Sequence, residues 1–218
     1  MSCGRQSKKP VTGESDRRTS DDAGLVRLLE MAMRNSVEKI SAMLQVPILI
    51  DGAAVTPAAA GLIELPASTP CTAVLLGIRG ETGGNLLMSL TNAGAVTLCE
   101  MAPDEFKQYM PEPAERLQAL MEELGNLLAS TYLDVFSDVA GMRLLPTPPR
   151  FLRLSTEALC ESLLAPLAEG PASPGARLFT SHLVLRSPLT RMLIASVFPG
   201  DAVRRILEGA RKCMPELF

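Results

Sequence analysis

The stretch EELGNLLASTYLDVFSDVAGMRLLPTPP, residues 122–149, decides the fold. Its apolar residues recur every three or four positions, which predicts a helix with one face on a core. The same spacing extends backwards and predicts one long helix from about Pro113 to Ala140, ended by Gly141. Inside this helix stand Gly125 and Asn126, which are both poor helix formers. Their presence in the helix therefore needs a reason other than helix propensity.

The predicted core-facing stripe of this helix is apolar apart from one threonine. It consists of Leu117, Leu120, Met121, Leu124, Leu128, Thr131 and Val135. Because 3.6 residues make one turn, Glu123 and Asn126 lie side by side away from that stripe. We expect Ala119, Ser130 and Leu133 to point outwards as well.

The outward side predicted for this helix resembles a contact surface more than an ordinary solvated one. It carries a carboxylate, a carboxamide, small residues and a leucine, without lysine or arginine. A glutamate can bind a lysine of a partner, and an asparagine can donate and accept hydrogen bonds together and so hold a water molecule. The alternative is that Glu123 is a plain surface charge and Asn126 a tolerated helix asparagine.

The rest of the chain repeats one order of elements twice. The first half predicts a helix over Leu25–Leu44, a strand at VPILID, a part-loop stretch over Gly52–Pro70, a hairpin at CTAVLLGIRGETGGNLLMSLT and a short helix at NAGAVTLCEM. The connection APDEFKQYMPEP follows. After the long helix, the second half predicts a strand at MRLLP, a helix at STEALCESLLAPLA, a flexible link at EGPASPGA, a second hairpin and a last helix at PGDAVRRILEGARK.

The two halves also resemble each other residue by residue. Residues 85–96 match residues 192–203 in apolar pattern and in the change from strand to helix. We therefore predict an α+β protein with internal pseudo-twofold symmetry, in which two long helices pack on an antiparallel sheet. Residues 1–20 are expected to be a disordered tail, and residues 21–218 a single domain with halves of about 21–110 and 111–218.

Composition excludes several classes of function. The 218 residues carry a net charge of −3, which argues against a nucleic-acid binder and a polybasic membrane anchor. The 5 cysteines have no metal-ligand spacing, and the single histidine, His182, lies in an alternating strand pattern. We find no signal peptide and no apolar run long enough to cross a membrane. These features predict a cytoplasmic protein with reduced cysteines.

The long helix and the strand after it resemble the second signature segment of the CheC family of bacterial chemotaxis phosphatases. The family pattern is Asp or Ser, three residues, Glu, two residues, Asn, twenty-two residues, Pro. Here Glu123 and Asn126 have the required spacing, and Pro149 follows at the required distance (149 − 126 − 1 = 22). The order of elements in the two halves extends the resemblance from about Asp22 to the C-terminus.

Two departures from the family pattern stand out. Ala119 occupies the Asp or Ser position. CheC proteins usually carry the Glu and Asn on both long helices, but aligning SAMLQVPIL with SDVAGMRLL (137 − 41 = 96) places Arg27 and Glu30 at those positions in the first half. The first-half site is therefore predicted to be lost.

The resemblance implies a phosphatase for the aspartyl phosphate of a CheY-like response regulator, in chemotaxis or related two-component signalling. Glu123 and Asn126 would be its catalytic residues. No cofactor of its own is implied, because the receiver partner brings the divalent cation. No nucleic acid or membrane insertion is implied either.

Two other readings stay open. A non-catalytic binding or adaptor protein would associate with a receiver, with the deamidase CheD or with a flagellar switch component. An unrelated α+β enzyme would need a reactive cysteine, and none stands in a recognisable motif.

Overall fold

A computed structural model describes residues 12–60, 68–168, 175–186 and 189–218. Six α-helices are described: α1 Thr12–Leu44, α2 Asn92–Glu100, α3 Asp104–Tyr109, α4 Pro113–Ala140, α5 Thr156–Ala168 and α6 Gly200–Cys213. Seven strands are described: β1 Ile48–Pro57, β2 Pro70–Gly80, β3 Gly84–Thr91, β4 Leu144–Pro146, β5 Arg150–Ser155, β6 Arg177–Arg186 and β7 Leu189–Phe198. Short 3-10 turns at Ala58–Ala60 and Pro215–Leu217 complete the set.

All described strands join one antiparallel sheet with the order β1-β6-β7-β3-β2-β4, and β5 also pairs with β2. The two predicted hairpins meet at its centre through β3 and β7. There Leu87 lies opposite Ala195, and Met88 lies opposite Ile194. In the correspondence between residues 85–96 and residues 192–203, Leu87 is equivalent to Ile194 and Met88 to Ala195. The two pairs are therefore equivalent to each other. A pseudo-twofold axis therefore passes through the middle of the sheet, and the α+β fold with two long helices is confirmed.

The long helices α1 and α4 end in the same way. Gln45 follows α1 with φ 56°, and Gly141 follows α4 with φ 59°. Each helix end is closed by one backbone hydrogen bond to a serine carbonyl. Val46 N–H donates to Ser41 at 3.3 Å, and Met142 N–H donates to Ser137 at 3.1 Å. These matched ends confirm the alignment that equates Ser41 with Ser137.

The main core lies between the sheet and the layer formed by α1 and α4. These two helices touch directly, and Ser36 and Thr131 share a buried hydrogen bond of 2.8 Å across the contact. Next to it lies a group of four mutually packed aromatic rings: Tyr132, Phe136, Phe179 and Phe198. A smaller apolar cluster on the opposite side of the sheet is covered by α5. The sheet thus has a front face under two long helices and a back face under one short helix.

Several boundaries differ from the sequence prediction. Helix α1 begins at Thr12 and so includes residues 12–20, which we had assigned to the tail. Glutamate and arginine in this stretch are good helix formers, so the polar composition does not end the helix. Residues 1–11 lie outside the described residues, as do the link residues 169–174. The connection APDEFKQYMPEP contains the six-residue helix α3.

One strand is longer than predicted, and another strand was not predicted. Strand β1 continues through Gly52 to Pro57, with a register irregularity between Ile50 and Ala53 that absorbs the glycine. Strand β5, with the sequence RFLRLS, was not predicted, although its arginines and apolar residues alternate in part.

Candidate functional site

Glu123 and Asn126 both lie exposed on α4, one helical turn apart. Within the part of the chain that the structure describes, neither side chain takes part in a hydrogen bond or ion pair. The predicted exposure of both residues is confirmed. Their polar atoms are available to a partner, and the surface that presents them is a convex helix.

Gly125, the residue before Asn126, lies on the buried side of the helix against β2. It is buried, and a Cβ atom there would lie 2.9 Å from Val74 Cγ1 and 3.5 Å from Leu76 Cδ1. The absence of a side chain therefore allows α4 to approach the sheet closely. The two poor helix formers are therefore present for different reasons. Gly125 allows close packing on β2, and Asn126 faces solvent.

The predicted core-facing stripe is confirmed, with Val135 only partly buried. The prediction that Leu133 points outwards is wrong, because Leu133 is only 1% exposed and belongs to the main core cluster. Helix α4 contacts α1 and α6 as well as strands, so its buried arc is wider than one stripe. The outer face of α4 therefore lacks Leu133. It comprises the exposed Gln118, Glu123, Asn126, Ser130 and Asp134, with Ala119 partly buried at its edge.

Helix α4 carries five carboxylates and one arginine: Glu115, Glu122, Glu123, Asp134, Asp138 and Arg116. The guanidinium of Arg116 lies near the start of the helix and donates to the carbonyl of Met110 at 3.0 Å. Glu122 accepts a hydrogen bond of 2.9 Å from Gln118. The exposed side of α4 is therefore acidic and suits a partner with a positive contact surface.

The first-half counterparts of the two residues have a different environment. The offset that equates Ser41 with Ser137 equates Arg27 with Glu123 and Glu30 with Asn126. Arg27 Nη1 donates to the backbone carbonyl of Leu217 at 3.0 Å and to that of Glu216 at 3.3 Å. On α1 this position therefore binds the last residues of the chain itself.

The ring of Phe218 lies over Gly24 of α1. A Cβ atom at Gly24 would be only 2.1 Å from Phe218 Cε1, so the ring fills the space that a side chain would take. Ser20 Oγ donates to the Phe218 carbonyl at 3.2 Å, and the Arg211 guanidinium lies 5.7 Å from the ring centroid while pairing with Asp21. The segment Pro215–Phe218, here called the C-terminal segment, thus covers α1 beside Arg27.

The structure also gives the location of Ala119 and Pro149, the other two positions of the signature. Ala119 is partly buried one turn before Glu123 and offers no polar group there. Pro149 lies between β4 and β5, where it separates two short strands that both pair with β2. The proline spacing of the motif therefore reflects the path of the chain into the sheet.

Other candidate groups fall outside this surface. His182 is half-buried in β6. None of the four described cysteines forms a disulfide, and Cys3 lies outside the described residues. The described residues contain no cluster of three histidine, cysteine or carboxylate side chains that would suit a metal ion. Among the described helices, none has the length and apolar character needed to span a bilayer.

Comparison with known proteins gives structural matches only. Neither a family model nor a curated protein sequence matches the chain. FliY of Thermotoga maritima is 13% identical with a TM-score of 0.62, and the match covers 88% of this chain and 96% of that one. CheX of Borrelia burgdorferi, solved in a complex with CheY, BeF3 and Mg2+, is 15% identical with a TM-score of 0.51 over 78% and 97% of the two chains.

A third match is to FliM of H. pylori, solved in a complex with SpeE. It is 14% identical with a TM-score of 0.54, and the match covers 94% of this chain and all of that one (100%). At such identities the likeness concerns the fold. The duplicated halves, the shared helix ends and these matches agree, and the chain has the CheC-like fold found in CheX, FliY and the middle domain of FliM.

Proposed function

We propose that this protein hydrolyses the aspartyl phosphate of a CheY-like receiver, using Glu123 and Asn126 on α4. The observation that carries the proposal is the exposure of both side chains, one turn apart on a convex face, with their polar groups unused inside the described chain. A convex helix can enter the active-site cleft of another protein. This mode of action needs neither buried polar groups nor a pocket on this chain.

The chemistry follows from the reactivity of an acyl phosphate. Its hydrolysis requires a water molecule held in line with the phosphorus, more than a strong base. The Asn126 carboxamide accepts and donates hydrogen bonds together, so it can orient such a water. The Glu123 carboxylate can pair with a lysine of the receiver and fix the docking. The receiver contributes the phosphoryl group and its divalent cation.

The acidic surface of α4 supports a partner with positive groups at its contact surface. It would increase the rate of encounter and make it dependent on salt. In the first half, Arg27 is bonded to the C-terminal segment, and it would repel a lysine. The proposal therefore assigns turnover to one site only.

The test is the decay of phosphate on purified, phosphorylated receivers from the same organism, in the presence of Mg2+ and substoichiometric amounts of this protein. We expect faster decay for at least one receiver, with many phosphates released per molecule. Decay at the intrinsic rate of every receiver would contradict the proposal.

A second candidate is a non-catalytic receiver-binding or adaptor protein, which could also associate with CheD or a flagellar switch component. The observation in its favour is Ala119, which leaves the Asp or Ser position of the signature without a polar group. The Ala119→Asp variant separates the two candidates. A protein that binds the receiver without turnover, and stays inactive as Ala119→Asp, would be a binder.

A further inference from the structure

A cleft of about 620 Å³ lies on the back face of the sheet, away from α1 and α4. Strand β2 shows why it is there. Val74, Leu76 and Ile78 belong to the main core, so the alternate residues Leu75, Gly77 and Arg79 face the back. Helix α5 covers only part of that face. The space between α5 and the segment joining β4 to β5 is here called the back cleft, and its volume is within the range of small-molecule sites.

The floor of the back cleft is held in place by backbone hydrogen bonds. Gly77 N–H donates to Thr147 Oγ1 at 2.8 Å, and Thr147 N–H donates to the Gly77 carbonyl at 2.8 Å. A Cβ atom at Gly77 would lie 3.1 Å from Thr147 Cγ2. The absence of a side chain at Gly77 therefore leaves space at the floor of the cleft, and the cleft is formed before any ligand binds.

The wall towards α5 is fixed by a buried asparagine. Pro166 lies inside α5 and lacks the N–H that would bond the carbonyl of Ser162. Asn85, only 9% exposed, supplies the missing donor: its Nδ2 donates to the carbonyl of Ser162 at 3.0 Å and to that of Leu163 at 3.1 Å. These bonds fix the orientation of the carboxamide, which lines the cleft.

Two arginines, Arg79 and Arg150, line the same cleft. Among the described residues neither forms an ion pair or a side-chain hydrogen bond, and no carboxylate lines the cleft. Arg79 and Arg150 are both exposed, as are Arg34, Arg143 and Arg204, which also form no ion pair among the described residues. Four other arginines have acidic partners: Arg177 with Asp22, Arg191 with Asp51, Arg205 with Glu81 and Arg211 with Asp21. The back cleft thus combines two unpaired guanidinium groups with apolar walls.

We propose that the back cleft binds a small organic anion, with a phosphate or carboxylate head for Arg79 and Arg150. Guanidinium groups bind both heads through paired hydrogen bonds. The apolar body of the ligand would pack on Leu75, Pro148 and Pro166. This site lies on the opposite face of the sheet from Asn126 and does not depend on the proposed phosphatase activity.

The test is calorimetric titration of the purified protein with phenyl phosphate, benzoate and phenol. The first two probes distinguish a phosphate from a carboxylate head, and phenol has the apolar body without charge. We expect saturable binding of at least one anion below about 10 mM and none of phenol. Arg79→Gln and Arg150→Gln should each weaken binding by about tenfold. Arg204→Gln, which removes one exposed charge from α6, is the matched control and should change nothing.

NMR gives a readout that is independent of surface charge. The Gly77 amide and the Asn85 side-chain amide signals should shift along the same saturation curve as the calorimetric titration. Absence of saturation with both anions would overturn the proposal. An equal loss of binding in Arg204→Gln, or shifts that spare Gly77 and Asn85, would overturn it as well.

Discussion

Helices α1 and α4 are equivalent in backbone and opposite in surface chemistry. Both end in a left-handed residue, at Gln45 and Gly141, and both close with a hydrogen bond to a serine carbonyl. On α4 the outer face presents free polar side chains. On α1 the equivalent Arg27 binds the C-terminal segment of the same chain. The two halves share the geometry of the sheet and of the helix ends, while their outer faces present different side chains.

The largest effect on binding expected from this difference concerns receiver affinity. Glu123→Ala should weaken binding of the receiver by roughly ten- to a hundredfold, since hydrogen bonds to charged groups contribute about 1.5–3 kcal/mol. The matched control is Arg27→Ala, at the equivalent position on α1, which should leave receiver affinity unchanged. Titration calorimetry with the receiver measures both. Equal weakening by the two variants would place the docking surface elsewhere.

A second prediction concerns the C-terminal segment. Gly24→Ala places a Cβ atom against the Phe218 ring, so the ring must leave its present position. The lost packing of the ring is offset by about 1 kcal/mol of helix propensity gained within α1, so the unfolding free energy should change by no more than about 1 kcal/mol. Urea denaturation measures this change, and the Phe218 ring resonances should shift towards solvent-exposed values. Gly83→Ala is the control, because a Cβ there meets nothing within 4 Å. Unchanged Phe218 ring resonances in Gly24→Ala would show that the ring does not pack on Gly24.

The third prediction sets two neighbouring residues of α4 against each other. Gly125→Ala should lower the unfolding free energy by about 1 kcal/mol, because crowding against Val74 exceeds the gain in helix propensity. Asn126→Ala should raise it by up to about 0.5 kcal/mol, since an exposed asparagine is a poorer helix former than alanine. Thermal and urea unfolding of both variants test the signs. A destabilised Asn126→Ala protein would mean that Asn126 supports the fold.

The fourth prediction concerns the two helix ends. Gln45→Gly should stabilise the protein by about 0.5–1 kcal/mol, because a left-handed conformation is costly for glutamine and easy for glycine. Gly141→Ala should destabilise it by a similar amount at the equivalent position. Urea denaturation curves provide the comparison. If both changes had the same sign, the two helix ends would not be equivalent.

Much of this architecture was predictable because its signals are local and repeated. The helix that ends at Gly141 and both hairpins follow from apolar spacing, and glycines also mark the end of that helix and the turn of the first hairpin. Strand β5 was missed because it is short and its apolar and polar residues alternate only in part. Leu133 was misplaced because a helical stripe does not show how many neighbours a helix has. The packing of Phe218 on Gly24 could not be predicted, since the two residues are far apart in the sequence.

The candidate site was predictable to the level of exposure. Helical spacing put Glu123 and Asn126 outside the core stripe, and the structure has them there. Spacing could not decide why Gly125 is present, because that depends on the distance between α4 and Val74 across the core. The back cleft gave no sequence signal either, because its residues come from β2, β3, α5 and the segment before β5.

The central claim is that turnover belongs to the α4 face alone. The most direct test measures the decay of receiver phosphate with Asn126→Ala and with Glu30→Ala, its counterpart on α1, using protein whose unfolding curve matches the wild type. We expect Asn126→Ala to lose about a hundredfold or more of the stimulated rate, because a reacting water is no longer positioned, and Glu30→Ala to keep the full rate. Full activity in Asn126→Ala, or a comparable loss in Glu30→Ala, would contradict it.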